Sequence, residues 1–225
     1  MFSAENSRFV EESLPFWDKL SLNERNLLLN YTTQHNYKKG ESILSSTFEC
    51  IGLLLIKSGT LRIYMLSEEG KEVTLYRLFD GDICVMSASC VLKSITFEVC
   101  IEAESDCEAV QIASSAVSLL SSENIYAECF IYKLAAERFS DVMWTMQDIL
   151  FTSFDKRLAA FLLDETEKNH SDSLKMTHEQ IAKYMGSARE VVSRMLKYFS
   201  NEGYVALSRG GVRITDRNRL SSLLN

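Results

Sequence analysis

The 225-residue sequence has little proline and histidine and no apolar run of membrane-spanning length. Pro15 is its one proline, and its three histidines are His35, His170 and His178. A transmembrane helix needs roughly 20 consecutive apolar residues, and the N-terminus has no charged segment that leads into an apolar one, as a secretory signal would. We therefore expect a cytoplasmic protein.

Motifs of common enzyme classes are also missing. The sequence has no G-x-S-x-G nucleophile elbow, no H-E-x-x-H zinc motif and no Walker A phosphate loop. All three histidines fall outside residues 37–112, the segment rich in short alternating apolar runs. A cupin metal site, by contrast, uses imidazoles from inside its barrel. We predict no metal site, no cofactor and no enzymatic activity.

Cysteine is present, but never as a C-x-x-C pair. In a chain expected to be cytoplasmic, reduced and buried thiols are the expected state. Four of the six lie on or near predicted strands, so a thiol-based redox or metal sensor stays open beside simple apolar packing. These four are Cys84, Cys90, Cys100 and Cys107, and the others are Cys50 and Cys129.

The net charge of −7 is unevenly distributed along the chain. Residues 154–225 contain 12 Lys and Arg against 9 Asp and Glu, a net of +3. The first 153 residues hold the remaining 12 basic and 22 acidic residues, a net of −10. Because nucleic-acid affinity depends largely on cations that meet phosphates, the C-terminal part is the one predicted to contact DNA.

Residues 177–199 have the pattern of two short helices around a tight turn. Thr177 and Gln180 have the spacing of a capping box that starts one helix. Ser187 and Glu190 have the same spacing, and Gly186 suits a left-handed turn between the helices. Each helix has one apolar stripe, formed by Ile181, Ala182 and Met185 in the first and by Val192, Met195, Leu196 and Phe199 in the second. Any helical hairpin would share this pattern. The neighbouring segments must therefore distinguish an ordinary hairpin from a DNA-binding one.

The outward face of the second helix is polar and partly basic. It carries Arg189, Glu190, Ser193, Arg194 and Lys197. A helix-turn-helix presents such residues to the DNA major groove. Residues 203–214 read as strand, glycine turn and strand, the hairpin expected of a wing, with Arg209 and Arg213 placed to meet phosphates. We predict that these residues, together with Thr177 and Ser187, bind double-stranded DNA.

Residues 37–112 alternate short apolar runs with glycines. Gly59, Gly70 and Gly81 recur at equal spacing, which is typical of short antiparallel strands joined by tight turns. This pattern predicts a β-sandwich or barrel.

A long helix is predicted over residues 124–153, where the glycines stop. Apolar residues step along it as a heptad seam, formed by Tyr132, Ala135, Phe139, Val142, Met146 and Ile149. Ile131, Leu134, Met143 and Leu150 mark a neighbouring face, which we expect to lie on the strands. We expect the seam to pair with a second copy of the chain, since two DNA half-sites one helical turn apart need a twofold partner. A single buried helix within one domain is the alternative.

Together these segments resemble the cyclic-AMP receptor protein and fumarate-nitrate reductase regulator (CRP/FNR) family of bacterial transcription factors. The resemblance covers nearly the whole chain, and its most specific part is T-x-x-x-I-A-x-x-x-G-x-x-R-E-x-V-S-R over residues 177–194. It implies an α+β fold. An N-terminal double-stranded antiparallel β-roll of the cyclic-nucleotide-binding type would occupy residues 1–123, a long dimerisation helix residues 124–153, and a C-terminal winged helix-turn-helix residues 154–225.

By this resemblance the outward face of the second helix lies where family members contact bases or backbone. An arginine can read guanine and a glutamate can accept from cytosine, which suits Arg189, Glu190 and Arg194 beside Ser193. Val191 replaces a residue that is often polar in the family. The resemblance also makes RNA polymerase a candidate partner.

The sensor half departs from the family's best-known pattern. Cyclic-nucleotide binders carry Gly-Glu and Arg-Ser/Thr pairs around the phosphate, whereas here Phe97 and Glu98 stand at the Arg-Ser positions and Met86 near the Glu. A carboxylate and a phenyl ring oppose a phosphate, so we predict that neither cyclic AMP nor cyclic GMP binds. No cysteine precedes Cys50, which disfavours the N-terminal iron–sulfur cluster of other members, and a haem sensor would need an axial ligand in the roll.

An unidentified small effector would lie between the roll and the long helix, in a site formed by Met86, Ser87, Ser89, Cys90, Phe97 and Glu98. We therefore expect a homodimeric DNA-binding regulator that obeys an effector or a redox signal at its roll. One alternative is a constitutive DNA binder without a ligand, whose roll contacts its dimer partner or RNA polymerase. A cupin-like metalloenzyme with a DNA-binding tail is the least favoured.

Overall fold

The computed structural model describes residues 4–44, 51–85 and 99–224. The chain forms two compact units, which are Met1–Met65 with Leu75–Val142 and Leu66–Thr74 with Met143–Asn225. One boundary falls within a β-hairpin and the other within the long helix. Each unit has its own apolar core.

The first unit opens with helices α1 (Ala4–Ser13) and α2 (Leu22–Asn30), with a short 3-10 turn (Trp17–Lys19) between them. Ser21 starts α2 with a complete capping box, since its hydroxyl accepts from the Glu24 amide and the Glu24 carboxylate accepts from the Ser21 amide. The apolar side of these helices packs against one sheet of the roll.

The strands described before residue 113 are β1 (Thr32–Tyr37), β2 (Ser42–Leu44), β3 (Leu53–Ser58), β4 (Leu61–Leu66), β5 (Glu72–Leu78), β6 (Ile83–Cys84), β7 (Cys100–Ala103) and β8 (Cys107–Ile112). They form two four-stranded sheets, ordered β1-β8-β3-β6 and β2-β7-β4-β5. Along β3, Leu54 and Ile56 belong to the core between the sheets, while Leu53 and Leu55 belong to the core beside the helices. Burial on both faces explains why β3 is apolar without alternation. The predicted β-roll is confirmed.

One histidine corrects the prediction that all three lie outside the strands. His35 lies in β1, which begins at Thr32, before the predicted start at Tyr37. Its ring stacks on Tyr37 with 5.8 Å between centroids. β1 is an edge strand, and its largely polar sequence therefore carries little apolar signal. In the described ranges, no group of His, Cys, Asp or Glu is arranged to hold a metal ion.

Helix α3 (Ser114–Glu123) leads into α4 (Ile125–Phe151), the predicted long helix, with 27 residues. Ile131 and Leu134 pack in the core beside the roll, as expected. Met143 and Leu150 are exposed instead, because they lie in the second unit, whose core includes no α4 residue among those described. No helix in the described part of the chain is long and apolar enough to cross a membrane.

The second unit contains the predicted winged helix-turn-helix. Its elements are α5 (Phe154–Lys168), β9 (Ser173–Leu174), α6 (His178–Met185), α7 (Arg189–Asn201), β10 (Val205–Ser208), β11 (Gly211–Ile214) and α8 (Arg217–Ser222). The strands form one sheet in the order β10-β11-β9. Phe199 of α7 is fully buried in the core that these elements share, and its ring meets that of Tyr204 at 5.8 Å.

Candidate nucleic-acid interface

Helix α6 begins at the predicted capping box. The Gln180 amide donates to the Thr177 hydroxyl over 3.1 Å, and the Thr177 amide donates to Gln180 Oε1 over 2.8 Å. The helix ends at Gly186, which adopts the left-handed conformation with φ of 57°. That conformation disfavours residues with a Cβ atom, so Gly186 fixes the turn between α6 and α7.

The second predicted capping box is wrong. Helix α7 begins at Arg189 after Ala188, and no side chain caps it. The Ser187 amide instead donates to the carbonyl of Ala182 over 3.0 Å and closes the end of α6. Because Ser187 is used by the turn, the helix starts one residue later than the Ser187–Glu190 spacing indicated.

The two faces of α7 differ as predicted. Val192, Leu196 and Phe199 are fully buried in the core of the second unit. The opposite face carries Arg189, Glu190, Arg194 and Lys197, which are exposed, together with half-buried Ser193. The structure thus brings the five predicted α7 residues together on one outward surface, with Thr177 exposed at the start of α6.

A side-chain contact between the two helices joins this surface to α6. Nδ1 of His178, the first residue of α6, lies 2.8 Å from the Ser193 hydroxyl oxygen. Both side chains are half-buried. No sequence pattern pointed to His178 as a site residue, because the contact depends on how the two helices pack.

The predicted wing is the hairpin of β10 and β11. Val205 pairs with Ile214 in antiparallel register. Strand β9 pairs with the other side of β11 and ties the hairpin to the unit. Arg209 lies in the turn and Arg213 on β11, and both are exposed, so two cations stand near the wing tip.

A second hairpin packs against the turn between α6 and α7. Residues 66–74 belong to the same unit, and the Lys183 ammonium lies 2.8 Å from Glu72 Oε1. The Thr74 hydroxyl donates to the Lys183 carbonyl over 3.4 Å. A Cβ atom at Gly186 would lie 3.2 Å from Val73 Cγ2. The contact joins residues 109 apart in the chain, so no local sequence pattern indicates it.

The heptad seam of α4 is only partly exposed to solvent. Tyr132, Phe139, Met146 and Ile149 are exposed, with 65% of Phe139 accessible. Ala135 and Val142 instead pack against the cores of the first unit. Both positions are only partly buried, so pairing of the whole seam with a second copy stays a prediction.

The candidate effector residues Met86, Ser87, Ser89, Cys90, Phe97 and Glu98 lie outside the described residues. Within the described first unit, however, a polar group lies between the roll and α4. The Tyr76 hydroxyl is buried and has no hydrogen-bond partner there. The Arg138 guanidinium lies 5.4 Å from the centre of the Tyr76 ring and pairs with Asp141 over 2.7 Å. Burial, aided by the nearby Cys84 thiol, raises the pKa of Tyr76, so its hydroxyl stays protonated and able to donate.

The burial of three described thiols favours a role in apolar packing over one in redox or metal sensing. Cys84, Cys100 and Cys107 are buried, and none of the three forms a disulfide. Burial raises the pKa of the Cys107 thiol to about 11, and a protonated thiol is a poor nucleophile and metal ligand. Cys129 is exposed on α4, contrary to the expectation of burial, while Cys50 and Cys90 lie outside the described residues.

Two family models match the chain. The Crp-like helix-turn-helix domain matches residues 156–223, and the cyclic nucleotide-binding domain matches residues 34–124. A solved structure from Eubacterium rectale, assigned to transcriptional regulators of the CRP/FNR family, is 46% identical to this chain, with a TM-score of 0.92. The match covers 95% of this chain and 99% of that one. The chain belongs to the CRP/FNR family.

Other CRP/FNR-type relatives are more distant. The regulatory protein HlyX of Actinobacillus pleuropneumoniae is 25% identical, over 97% of this chain and 91% of its own. The cAMP-activated global transcriptional regulator Vfr of Pseudomonas aeruginosa is 24% identical, over 79% of this chain and 87% of its own. The chain is therefore a CRP/FNR-type transcription regulator with a helix-turn-helix DNA-binding domain.

Proposed function

We propose that this CRP/FNR-family chain acts as a homodimer in the cytoplasm and reads a twofold-symmetric DNA site with α7. The observation that carries the proposal is the outward surface of α7. There exposed Arg189, Arg194 and Lys197 lie opposite an apolar stripe that is largely buried. The major groove of B-DNA admits one α-helix, and arginine is the side chain that most often reads guanine there. The buried stripe holds the helix in place while its polar side stays free to bind.

The contacts divide into two kinds. Arg194 and Glu190 are exposed one turn apart on α7 and are proposed to contact base edges, guanine and cytosine respectively. Arg209 and Arg213 lie on the wing and are proposed to meet phosphates, which position the protein without reading sequence. Thr177 and Ser187 flank α6 and are proposed to contact the backbone.

The dimer is proposed from the exposed apolar side chains of α4. Tyr132, Phe139 and Met146 expose 57%, 65% and 51% of their surface. Their removal from water by a second copy would be favourable by roughly 25 cal/mol for each Å² buried. The seam spacing of three and four residues suits a second α-helix as the partner.

The test compares two arginines on DNA selected from a random pool by the wild-type protein. Arg194→Ala should weaken binding of the selected site by about 1–3 kcal/mol and relax base preference at one position. Arg209→Ala should weaken binding to all sequences and lower the slope of log affinity against log salt by about one. Lys39→Ala is the control, because it removes an exposed charge from the other unit. It should change neither the affinity for the selected site nor the salt slope. Equal and small effects of the two arginines would contradict the placement of α7.

We also propose that a small effector other than cyclic AMP or cyclic GMP controls the regulator. Support comes from the buried Tyr76 hydroxyl, which lacks an acceptor among the described residues, beside the Arg138 guanidinium. An unsatisfied buried hydroxyl costs about 1–3 kcal/mol, and an effector that supplies an acceptor would recover part of it. Calorimetry with both cyclic nucleotides is expected to show no binding, and micromolar affinity would contradict the proposal.

A constitutive regulator without a ligand is the second candidate. It predicts that protein refolded from denaturant, and so freed of bound small molecules, keeps the DNA affinity of the native preparation. A redox signal predicts instead that dithiothreitol and diamide change that affinity. The raised pKa of Cys107 argues against this thiol as the redox sensor.

A further inference from the structure

The contact between His178 and Ser193 has a chemical consequence for DNA reading. Ser193 lies on the outward surface of α7, and its hydroxyl oxygen is 2.8 Å from His178 Nδ1. The other ring nitrogen, Nε2, has no hydrogen-bond partner in the ranges that the structure describes. His178 thus has one nitrogen on Ser193 and a second nitrogen available to an outside group.

We propose that His178 sets the direction of the Ser193 hydroxyl proton and thereby decides which bases Ser193 accepts. The inference rests on the proposed reading of DNA by α7. It assigns His178 as a specificity-determining residue that positions Ser193, with a DNA phosphate as the group that fixes its tautomer.

The first step is the phosphate. The start of an α-helix leaves backbone N–H groups unpaired and carries a partial positive charge, and both attract anions. The Thr177 hydroxyl and the Gln180 side chain already satisfy two groups at the start of α6, while His178 is its first residue. A phosphate oxygen can only accept hydrogen bonds. Of the two neutral tautomers, a phosphate beside Nε2 therefore selects the one in which Nε2 carries the proton.

The second step is the serine. A neutral imidazole with a proton on Nε2 has only a lone pair on Nδ1, so the Ser193 hydroxyl must donate to it across the 2.8 Å contact. The hydroxyl proton is then committed, and Ser193 Oγ presents only lone pairs to the groove. Adenine N6 and cytosine N4 are donors in the major groove, whereas guanine O6 and thymine O4 are acceptors. Ser193 should therefore favour adenine or cytosine over guanine or thymine on the strand it contacts.

The test is selection from a random DNA pool followed by affinity measurements on single-base variants of the selected site. Wild-type protein should show one position per half-site where adenine and cytosine are favoured about threefold to tenfold, the range of one hydrogen bond. Ser193→Ala should lose this preference while keeping the rest of the site.

Two His178 variants separate the two ring nitrogens. In His178→Asn the side-chain amide can occupy the place of Nδ1 but not that of Nε2, so the preference should persist with weaker binding of every sequence. In His178→Gln the amide reaches the place of Nε2 and leaves Ser193 free, so affinity should persist without the preference. A purely structural role for His178 would not produce opposite effects, and thermal melting should show both variants folded.

The outcomes separate this inference from the function on which it rests. If wild-type protein enriches no sequence, the proposed DNA reading fails as well. If it enriches a site whose base preferences are identical in wild type and His178→Gln, the inference about His178 is overturned and the DNA reading stands. Selection of guanine or thymine at the position lost in Ser193→Ala would also overturn it, because the hydroxyl would then donate to the base.

Discussion

Replacing Gly186 by alanine tests the turn that orients α7 against α6. Gly186 is left-handed, with φ of 57°, and a Cβ atom there would lie 3.2 Å and 3.3 Å from the two methyl carbons of Val73. Gly203 is a matched control, since it has φ of 77° but nothing within 4 Å of its Cβ position. The pair thus separates backbone strain from the contact with the hairpin.

The expected loss in free energy of unfolding is the sum of two effects, the backbone strain and the contact with Val73. A left-handed conformation costs a residue with a Cβ about 1–2 kcal/mol, and this is the whole expected effect of Gly203→Ala. Gly186→Ala adds overpacking against Val73, worth about 1 kcal/mol at the lower end of its range because the contact needs a shift of only a few tenths of an ångström. We expect a total of about 2–3 kcal/mol at Gly186, and Val73→Ala in the same chain should remove about 1 kcal/mol of it.

The assay is urea unfolding in which the amide hydrogen exchange of α6 and α7 is the probe. Exchange in these two helices reports on the stability of the second unit by itself. A double-mutant cycle over Gly186→Ala and Val73→Ala gives the coupling between the two positions. If the two glycine variants were equally destabilised and the cycle showed no coupling, Val73 would not pack on the turn. The placement of residues 66–74 beside α6 would then be refuted.

Three further predictions concern caps, core and thiols. Thr177→Ala should destabilise α6 by about 1 kcal/mol, whereas Ser187→Ala should cost much less because Ser187 does not cap α7; hydrogen exchange of the two helices distinguishes these outcomes. Phe199→Ala should cost about 3–5 kcal/mol, since the ring is fully buried, and urea unfolding that showed under 1 kcal/mol would contradict the described core. Iodoacetamide at neutral pH should label exposed Cys129 before buried Cys107, and the labelling rate of Cys107 should rise with pH until its pKa of about 11. Mass spectrometry of the labelled peptides checks both, and fast labelling of Cys107 at pH 7 would contradict its burial.

The helix-turn-helix could be predicted from sequence because its determinants are local. The apolar stripes of α6 and α7, the cap at Thr177 and the left-handed turn at Gly186 all act within a few residues. The wing followed from a glycine turn between two short apolar runs. The long helix followed in the same way from its periodicity.

Features that depend on tertiary packing, or on the position of a strand at the edge of a sheet, could not be predicted from the sequence. The Ser187–Glu190 spacing predicts a cap for α7 that does not form, because the Ser187 amide closes α6. The polar sequence around His35 does not indicate a strand, because an edge strand can be polar on both faces. The bond between Thr74 and Lys183 joins residues 109 apart, and the contact of His178 with Ser193 joins residues 15 apart on different helices. Contacts between residues so far apart in the chain produce no periodic pattern in the sequence.

The exposure of α4 shows the same limit. Heptad spacing identified Phe139 and Val142 as members of one seam, but the first is largely exposed while the second packs on the core of the roll. Spacing defines a face of a helix, whereas the neighbours along its length decide which part of that face is covered. Those neighbours come from distant parts of the chain.

The most direct test of the central claim is the symmetry of the DNA site that the 225-residue chain selects from a random pool. A homodimer that reads the major groove with two copies of α7 should enrich an inverted repeat whose half-site centres lie about 34 Å, one helical turn, apart. Enrichment of a single asymmetric half-site, or of no sequence at all, would contradict the account.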